Sequence, residues 1–246
     1  MRVLSAIALL LVGAVAHAAA PAGIALNPIT VSLDAQRPAD AVTLTNGTGD
    51  NKVIQAEVMR WTRERGEDHY APAPEMLVSP PMFRVAAGGQ QIVRVGLKSR
   101  AQADSPVEKA YRLFLQEVPE TAPSPAPAGD AAGGSALRLL LRFGVPVFLK
   151  PAKPQPTSLA WQARQQPDGG VALSVRNDGN RHVKLANVQL TQGAQAVNAD
   201  GFAYVFAGET YTWMLKPAKS LAAGAGTLSA STDDGPVHAG LVLQGP

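Results

Sequence analysis

Residues 137–150 read LRLLLRFGVPVFLK, and their spacing decides the fold class. Every odd position is apolar (Leu137, Leu139, Leu141, Phe143, Val145, Val147, Leu149). The even positions mix Arg138, Leu140, Arg142, Gly144, Pro146, Phe148 and Lys150. A period of two belongs to a β-strand, whose side chains alternate between faces. At about 3.3 Å per residue the run spans about 40 Å. An ordinary strand covers about 20 Å, and a domain of about 100 residues is only about 35 Å wide. The apolar face therefore has two readings. Either all of it lies over the home domain across a bent sheet, or its far part is covered by another polypeptide that adds strands to the edge. Pro146 places the strand at an edge or a bulge, because proline donates nothing to a ladder.

Outward from this segment, the preceding stretch Glu120–Ala136 (ETAPSPAPAGDAAGGSA) is a loop of proline, alanine and glycine without apolar periodicity. Further back, short alternating or β-branched runs recur at Ile29–Leu33, Ala41–Asn46, Val53–Trp61, Gln91–Leu97 and Tyr111–Val118. Breakers separate them: residues 46–51 (NGTGDN), Ser79-Pro80-Pro81 and Gly88-Gly89. About seven short strands in about 100 residues is the pattern of an immunoglobulin-like sandwich. Beyond the proline-rich connector 151–156 (PAKPQP) a second set follows. It comprises Ser158–Ala163, Val171–Val175, Val183–Leu190, Tyr211–Leu215, Thr227–Ala230 and Val237–Leu243. No strong helical period interrupts either set. The expected architecture is all-β: two tandem immunoglobulin-like β-sandwich domains, at 19–150 and 157–246, joined by the linker 151–156.

Residues 1–18 (MRVLSAIALLLVGAVAHA) carry an early arginine, an apolar run and the small-x-small site Ala16-His17-Ala18. That is the grammar of a cleavable signal peptide, and the bacterial periplasm is the expected destination. The 246 residues hold no cysteine, which excludes disulfides, thiolate metal sites and thiol nucleophiles. A formal net charge of +3 lacks the basic density of a nucleic-acid binder. His69, His182 and His238 are too scattered for a metal site, and no nucleotide or hydrolase motif is present. Neither enzyme activity nor a cofactor is expected, and no later stretch is apolar enough to embed the chain in a membrane.

Taken in order, several pieces resemble one family. They are Asn27-Pro28, Leu44-Thr45-Asn46, Trp61, residues 78–83 (VSPPMF), Val93-Arg94-Val95, Tyr111-Arg112-Leu113-Phe114 with Glu117-Val118-Pro119, and residues 142–148 (RFGVPVF). Their order and spacing are similar to the PapD-like periplasmic pilus chaperones, in particular the archaic, spore-coat-U-type branch. In the second half the likeness is weaker, resting on Asn177, Tyr211 and residues 232–235 (TDDG).

The resemblance implies a boomerang-type pair of sandwiches and a mechanism. A pilin or fimbrial subunit lacks its last strand, the chaperone fills the open groove with alternate side chains of its long strand, and an outer-membrane usher receives the complex. Carried onto this chain, the donated side chains are Leu137, Leu139, Leu141 and Phe143, while Val145 and Val147 pack at home. The family's better-known branch anchors the subunit's terminal carboxylate with a basic pair, but the matching positions here are Thr30 and Pro146. Arg94 and Arg142 are the candidate substitutes, since either guanidinium can grip a carboxylate. An internal ion network between the domains falls on Glu108, Lys150 and Asp233. Trp61 reads as core at a strand end. A different reading of the same chain is a secreted carbohydrate-binding or adhesive sandwich module, with Trp161 and Trp213 as a sugar-stacking pair rather than core.

Overall fold

The structure, a computed structural model, describes residues 23–64, 66–119 and 139–245. The expected signal peptide, the loop at 120–136 and Leu137 lie outside the described residues. The first half contains β1 (Ile24–Asn27), β2 (Val31–Leu33), β3 (Ala39–Asn46), β4 (Lys52–Glu64), β5 (Glu67–Pro72), β6 (Met76–Ser79), β7 (Met82–Val85), β8 (Gln90–Leu97), β9 (Lys109–Val118) and β10 (Arg142–Leu149). The second half contains β11 (Leu159–Gln165), β12 (Val171–Asn177), β13 (Val183–Gln192), β14 (Gln195–Asn198), β15 (Phe202–Val205), β16 (Thr210–Leu215), β17 (Gly224–Thr232) and β18 (Gly235–Gln244). The one helical turn among the described residues is a 3-10 turn at Arg100–Ala103. The chain is thus all-β, built as two immunoglobulin-like sandwiches.

In the first half a sheet ordered β1-β3-β8-β6 faces another ordered β2-β10-β9-β4-β5, with β7 also paired to β4. Alternation places Val42, Leu44, Val93 and Val95 of one sheet against Ile54, Leu113, Leu115 and Val147 of the other. The expected first strand, Ile29–Leu33, divides in two. β1 pairs with β3, and β2 runs parallel to β10 in the opposite sheet, the chain crossing between sheets at Pro28 and Ile29. In the second half the path β14-β13-β17-β18-β11-β12-β16 wraps a separate core that includes Leu173, Leu185, Leu190, Leu228 and Leu243.

Two fully buried asparagines close equivalent corners of the halves. Asn46 Nδ2 donates to the carbonyls of Asp50 and Ala86, and its Oδ1 accepts from Thr48. Asn177 Nδ2 donates to the carbonyls of Arg181 and Val205, and its Oδ1 accepts from the Gly179 amide. A buried amide is tolerated when its donors and acceptor are satisfied in this way.

The alternating segment 137–150 forms a shorter strand than its pattern predicts. Its strand runs from Arg142 to Leu149, eight residues rather than the expected run from Leu137, and the longest strand among the described residues is β4 with 13. The reason is a shortage of neighbours. Along β9 the ladder reaches one step further, where the Glu117 amide donates to the Leu141 carbonyl at 2.8 Å. Two residues later β9 gives way to Pro119, which has no amide proton to offer. On the other flank β2 covers only Val147, Phe148 and Leu149. Residues 142–146 therefore have a strand on one side only among the described residues.

Candidate functional site

That open flank is the first component of the site. Val145, Val147 and Leu149 are buried in the first core, and Phe143 is half-buried against it. Leu139 is 74% exposed and Leu140 40%, with Leu141 half-buried between them and the strand. An unpaired strand edge that leads into exposed leucines offers both main-chain hydrogen bonds and apolar side chains to another chain.

The second component is the outward face of the same sheet, set by register. Arg142, Gly144, Pro146 and Phe148 on β10 stand opposite Gln116, Phe114, Arg112 and Ala110 on β9. The Arg142 guanidinium lies 3.8 Å from the centre of the Phe114 ring, and Tyr70 meets that ring edge-on at 5.0 Å. The Arg112 guanidinium stacks 3.7 Å over Trp61. Its Nη1 donates to the Gly144 carbonyl at 3.3 Å, and its Nε is buried with no hydrogen-bond partner. Gly144 makes this possible, because a Cβ there would sit 3.1 Å from Arg112 Cδ and 3.3 Å from the Phe114 ring. Both guanidiniums thus have aromatic floors, and neither lies within ion-pair distance of a carboxylate among the described residues.

Trp61 is 2% exposed, yet it is not in the core of its sandwich. It fills the junction between the halves, with ring centres 4.7 Å from Phe206, 5.8 Å from Tyr204 and 6.3 Å from Phe148. Phe148 stacks on His182 at 3.5 Å. Arg63 clips the same junction: it pairs with Asp68 at 2.8 Å and Glu209 at 3.2 Å, and donates to the Tyr204 carbonyl at 2.6 Å. Burial works to lower the Arg63 pKa, but the hydrogen bonds and charges of Asp68 and Glu209 outweigh it and hold the group above its ordinary value. Asn180 ties the connector in place, donating to the carbonyls of Pro106 and Lys153 and accepting from the Gln155 amide.

Glu108, Lys150 and Asp233 do surround one pocket of about 300 Å³ between the halves, yet they do not pair with one another. Glu108 accepts from the His182 backbone amide at 2.9 Å, and its Oε1 lies 2.6 Å from His182 Nδ1. Lys150 has no carboxylate within 4.0 Å among the described residues. The neighbouring Asp234, not Asp233, carries the ion pair, meeting Arg181 at 2.5 Å and accepting from the Thr157 hydroxyl at 2.9 Å. The expected network is therefore replaced by Glu108–His182 and Arg63–Glu209 across the halves and Asp234–Arg181 beside them.

The Arg181 and Thr157 hydrogen bonds hold the Asp234 carboxyl below the usual aspartate value. A depressed carboxyl adds stability above its unfolded pKa, near 4, and loses it as pH falls through the folded value. At this half-exposed site the effect is under about 1 kcal/mol. Asp234→Asn is expected to lower stability at pH 6–7 but not near pH 2, measured by urea unfolding at each pH. A deficit that persists unchanged in acid contradicts the assignment.

Arg94, the other expected anchor, is exposed on β8 of the opposite sheet, beside Ala41 and Ser79, and is not brought together with Arg142. Trp161 and Trp213 stack at 6.2 Å, but Trp213 is 7% exposed and Trp161 is half-buried against the second core, so they present no open platform for a sugar. Reading the sequence missed Arg112, Arg63, Tyr204 and Phe206 as parts of the site. Arg112 stands in a quoted stretch, but a lone arginine in an alternating strand looks like any solvated position.

Residues 23–155 match the family described as Pili and flagellar-assembly chaperone, PapD N-terminal domain, and the chain belongs to that family. Among solved structures it is similar to a chain of the CsuC–CsuE chaperone–tip adhesion subunit pre-assembly complex, from the archaic chaperone–usher Csu pili of Acinetobacter baumannii. Identity is 19%, over 92% of this chain and 100% of that one, with a TM-score of 0.63. The YadV chaperone matches at 15% identity over 89% and 99%, with a TM-score of 0.63. A chain of the Salmonella enterica SafA pilin in complex with the SafB chaperone matches at 21% over 89% and 96%, with a TM-score of 0.60. At these identities the likeness is one of fold. No curated protein matches the sequence.

Proposed function

We propose that this protein is a periplasmic chaperone that caps pilin subunits by strand donation and hands them to an outer-membrane usher. The observation that carries this reading is the half-open edge of β10 running into exposed Leu139. A subunit missing its last strand would pair with that edge and bury Leu137, Leu139 and Leu141, with Phe143 at the inner end. Each large side chain fully buried contributes about 1.5–3 kcal/mol. Ordering the preceding loop and immobilising two molecules offset part of that gain. The balance suits a holder that must later release its cargo. No catalytic step is required.

Arg112, with Arg142 beyond it on the same face, would receive the subunit's terminal carboxylate in place of the missing basic pair. Two features support Arg112: its aromatic floor and its unpartnered Nε; the carboxylate that feels its charge, Asp68, is already paired with Arg63. Tagged protein co-expressed in a periplasm with a pilin subunit of the same export system is expected to purify as a one-to-one complex. Failure to hold any such subunit would contradict the reading. Arg112→Ala is expected to weaken capture about tenfold or more, the worth of one charge-assisted contact of about 1.5–3 kcal/mol. A subunit lacking its terminal carboxylate should be insensitive to this substitution.

A further inference from the structure

Where β10 begins, the inner face of the first sandwich stops being apolar. The inward positions of β9 are Tyr111, Leu113 and Leu115, all fully buried, and the next is Glu117, only 4% exposed. Its Oε1 accepts from Lys52 Nζ at 3.0 Å. Lys52 stands on the inward row of β4, two residues before Ile54. Register sets Ile54 directly across from Glu117 on one side, and on the other the Glu117 amide donates to the Leu141 carbonyl. Opposed residues of an antiparallel pair share a face. The Glu117 carboxylate therefore occupies the place where an apolar side chain would meet Leu141, and a carboxylate is costly to bury there.

We infer that the Lys52–Glu117 pair is a polar stop that keeps the donor leucines off their own core and so available to a subunit. The inference rests on the capture reading and deepens it by naming what holds the site open. Phe143 faces Leu115 across the ladder and packs on the home core. Leu141, one inward step further out, faces Glu117 and is left half-buried, and Leu139 beyond it is 74% exposed. The pair still touches water through the Lys52 side chain, which is 21% exposed. Leucines folded back over it would strip that water away. Desolvating an ion pair costs more than its attraction returns unless further hydrogen bonds compensate. With leucine at 117 and methionine at 52 the row would be apolar throughout, and Leu141 and Leu139 would extend the home core instead. Lys52 and Glu117 are thus positioning residues, which act through the leucines rather than on the subunit.

The test compares wild type with the double variant Lys52→Met/Glu117→Leu and with Lys52→Arg, which keeps the pair. Chymotrypsin cuts after leucine, and early fragments ending at residues 139–141, read by mass spectrometry, report on the leucines in the free protein. In the double variant this cleavage is expected to slow at least fivefold, while the urea midpoint stays level or rises. Wild type and variant, with tags of different mass, then compete for a limiting amount of one pilin subunit from the same export system. The bound ratio is expected to move at least threefold toward wild type. Lys52→Arg should match wild type in all three readings. Unchanged cleavage in the double variant overturns the inference, and so does slowed cleavage with a bound ratio still near one. A lowered midpoint with faster cleavage overturns it as well, because the pair would then support the fold rather than stop the core. A Lys52→Arg protein that behaves like the double variant counts against it too. If wild type holds no pilin at all, the capture reading falls, while the cleavage rates still decide whether the pair keeps the leucines free.

Discussion

Replacing Leu139 and Leu141 together by aspartate is expected to abolish capture of a pilin subunit while leaving the chaperone folded. The two halves of that expectation have separate physical grounds. Leu139 is 74% exposed, so a carboxylate there meets water in the free protein. Leu141 is half-buried, and its hydrogen bond to the sheet is made by its backbone carbonyl, which aspartate retains. The fold should lose little. In a complex the same two side chains would be sealed inside the subunit's core. Losing two large apolar burials removes about 3–6 kcal/mol, a factor of about 10² to 10⁴ in affinity. Burying two unpaired carboxylates adds several kcal/mol more. Val147→Asp behaves in the opposite way. Val147 is 0% exposed in the home core, so that substitution should unfold the first half whether or not a subunit is present. The measurements are co-purification with the subunit and thermal unfolding of the free protein. Normal capture by the double variant would show that the leucines are not donated.

The contrast between Leu139 and Val147 also shows how far the sequence can be read. Strict alternation assigns Val145, Val147 and Leu149 to one face, and they are buried together. Alternation says nothing about how many neighbours a strand has, and β10 stops where β9 reaches Pro119 and β2 has not begun. The short strand β5 escapes notice because all six of its residues are exposed, leaving no alternation to detect. Trp61 was decipherable in principle. Ile54, Ala56 and Val58 are the buried positions of β4, so an odd-numbered tryptophan belongs on the opposite face, against something outside the sandwich. Asp233 and Asp234 differ by one position in a turn, and the path of that turn decides that Asp234 meets Arg181. The choice among Arg94, Arg112 and Arg142 depends on which sheet each strand joins. No local pattern carries that information.

Trp61→Ala should uncouple the two halves, and the placement of the tryptophans makes this measurable. The chain has three, and once Trp61 is removed both survivors, Trp161 and Trp213, report on the second half. Trp61 is 2% exposed, touches Phe206, Tyr204 and Phe148, and floors the Arg112 guanidinium. Truncating a buried tryptophan costs about 3–5 kcal/mol, and here the loss falls on the contact between the halves rather than on either core. In the intact protein, unfolding by urea should give coincident curves by tryptophan fluorescence and far-ultraviolet circular dichroism, because the junction binds the halves into one cooperative unit. In Trp61→Ala the curves should separate, since fluorescence follows the second half and dichroism follows both. Trp61→Phe keeps most of the ring packing and should remain close to coincident. Arg112 would lose its platform as well, so subunit capture should weaken in Trp61→Ala even under conditions where both halves stay folded. Coincident curves in Trp61→Ala, with less than about 1 kcal/mol lost, would mean that Arg63, Asn180 and the Glu108–His182 contact hold the junction without the ring.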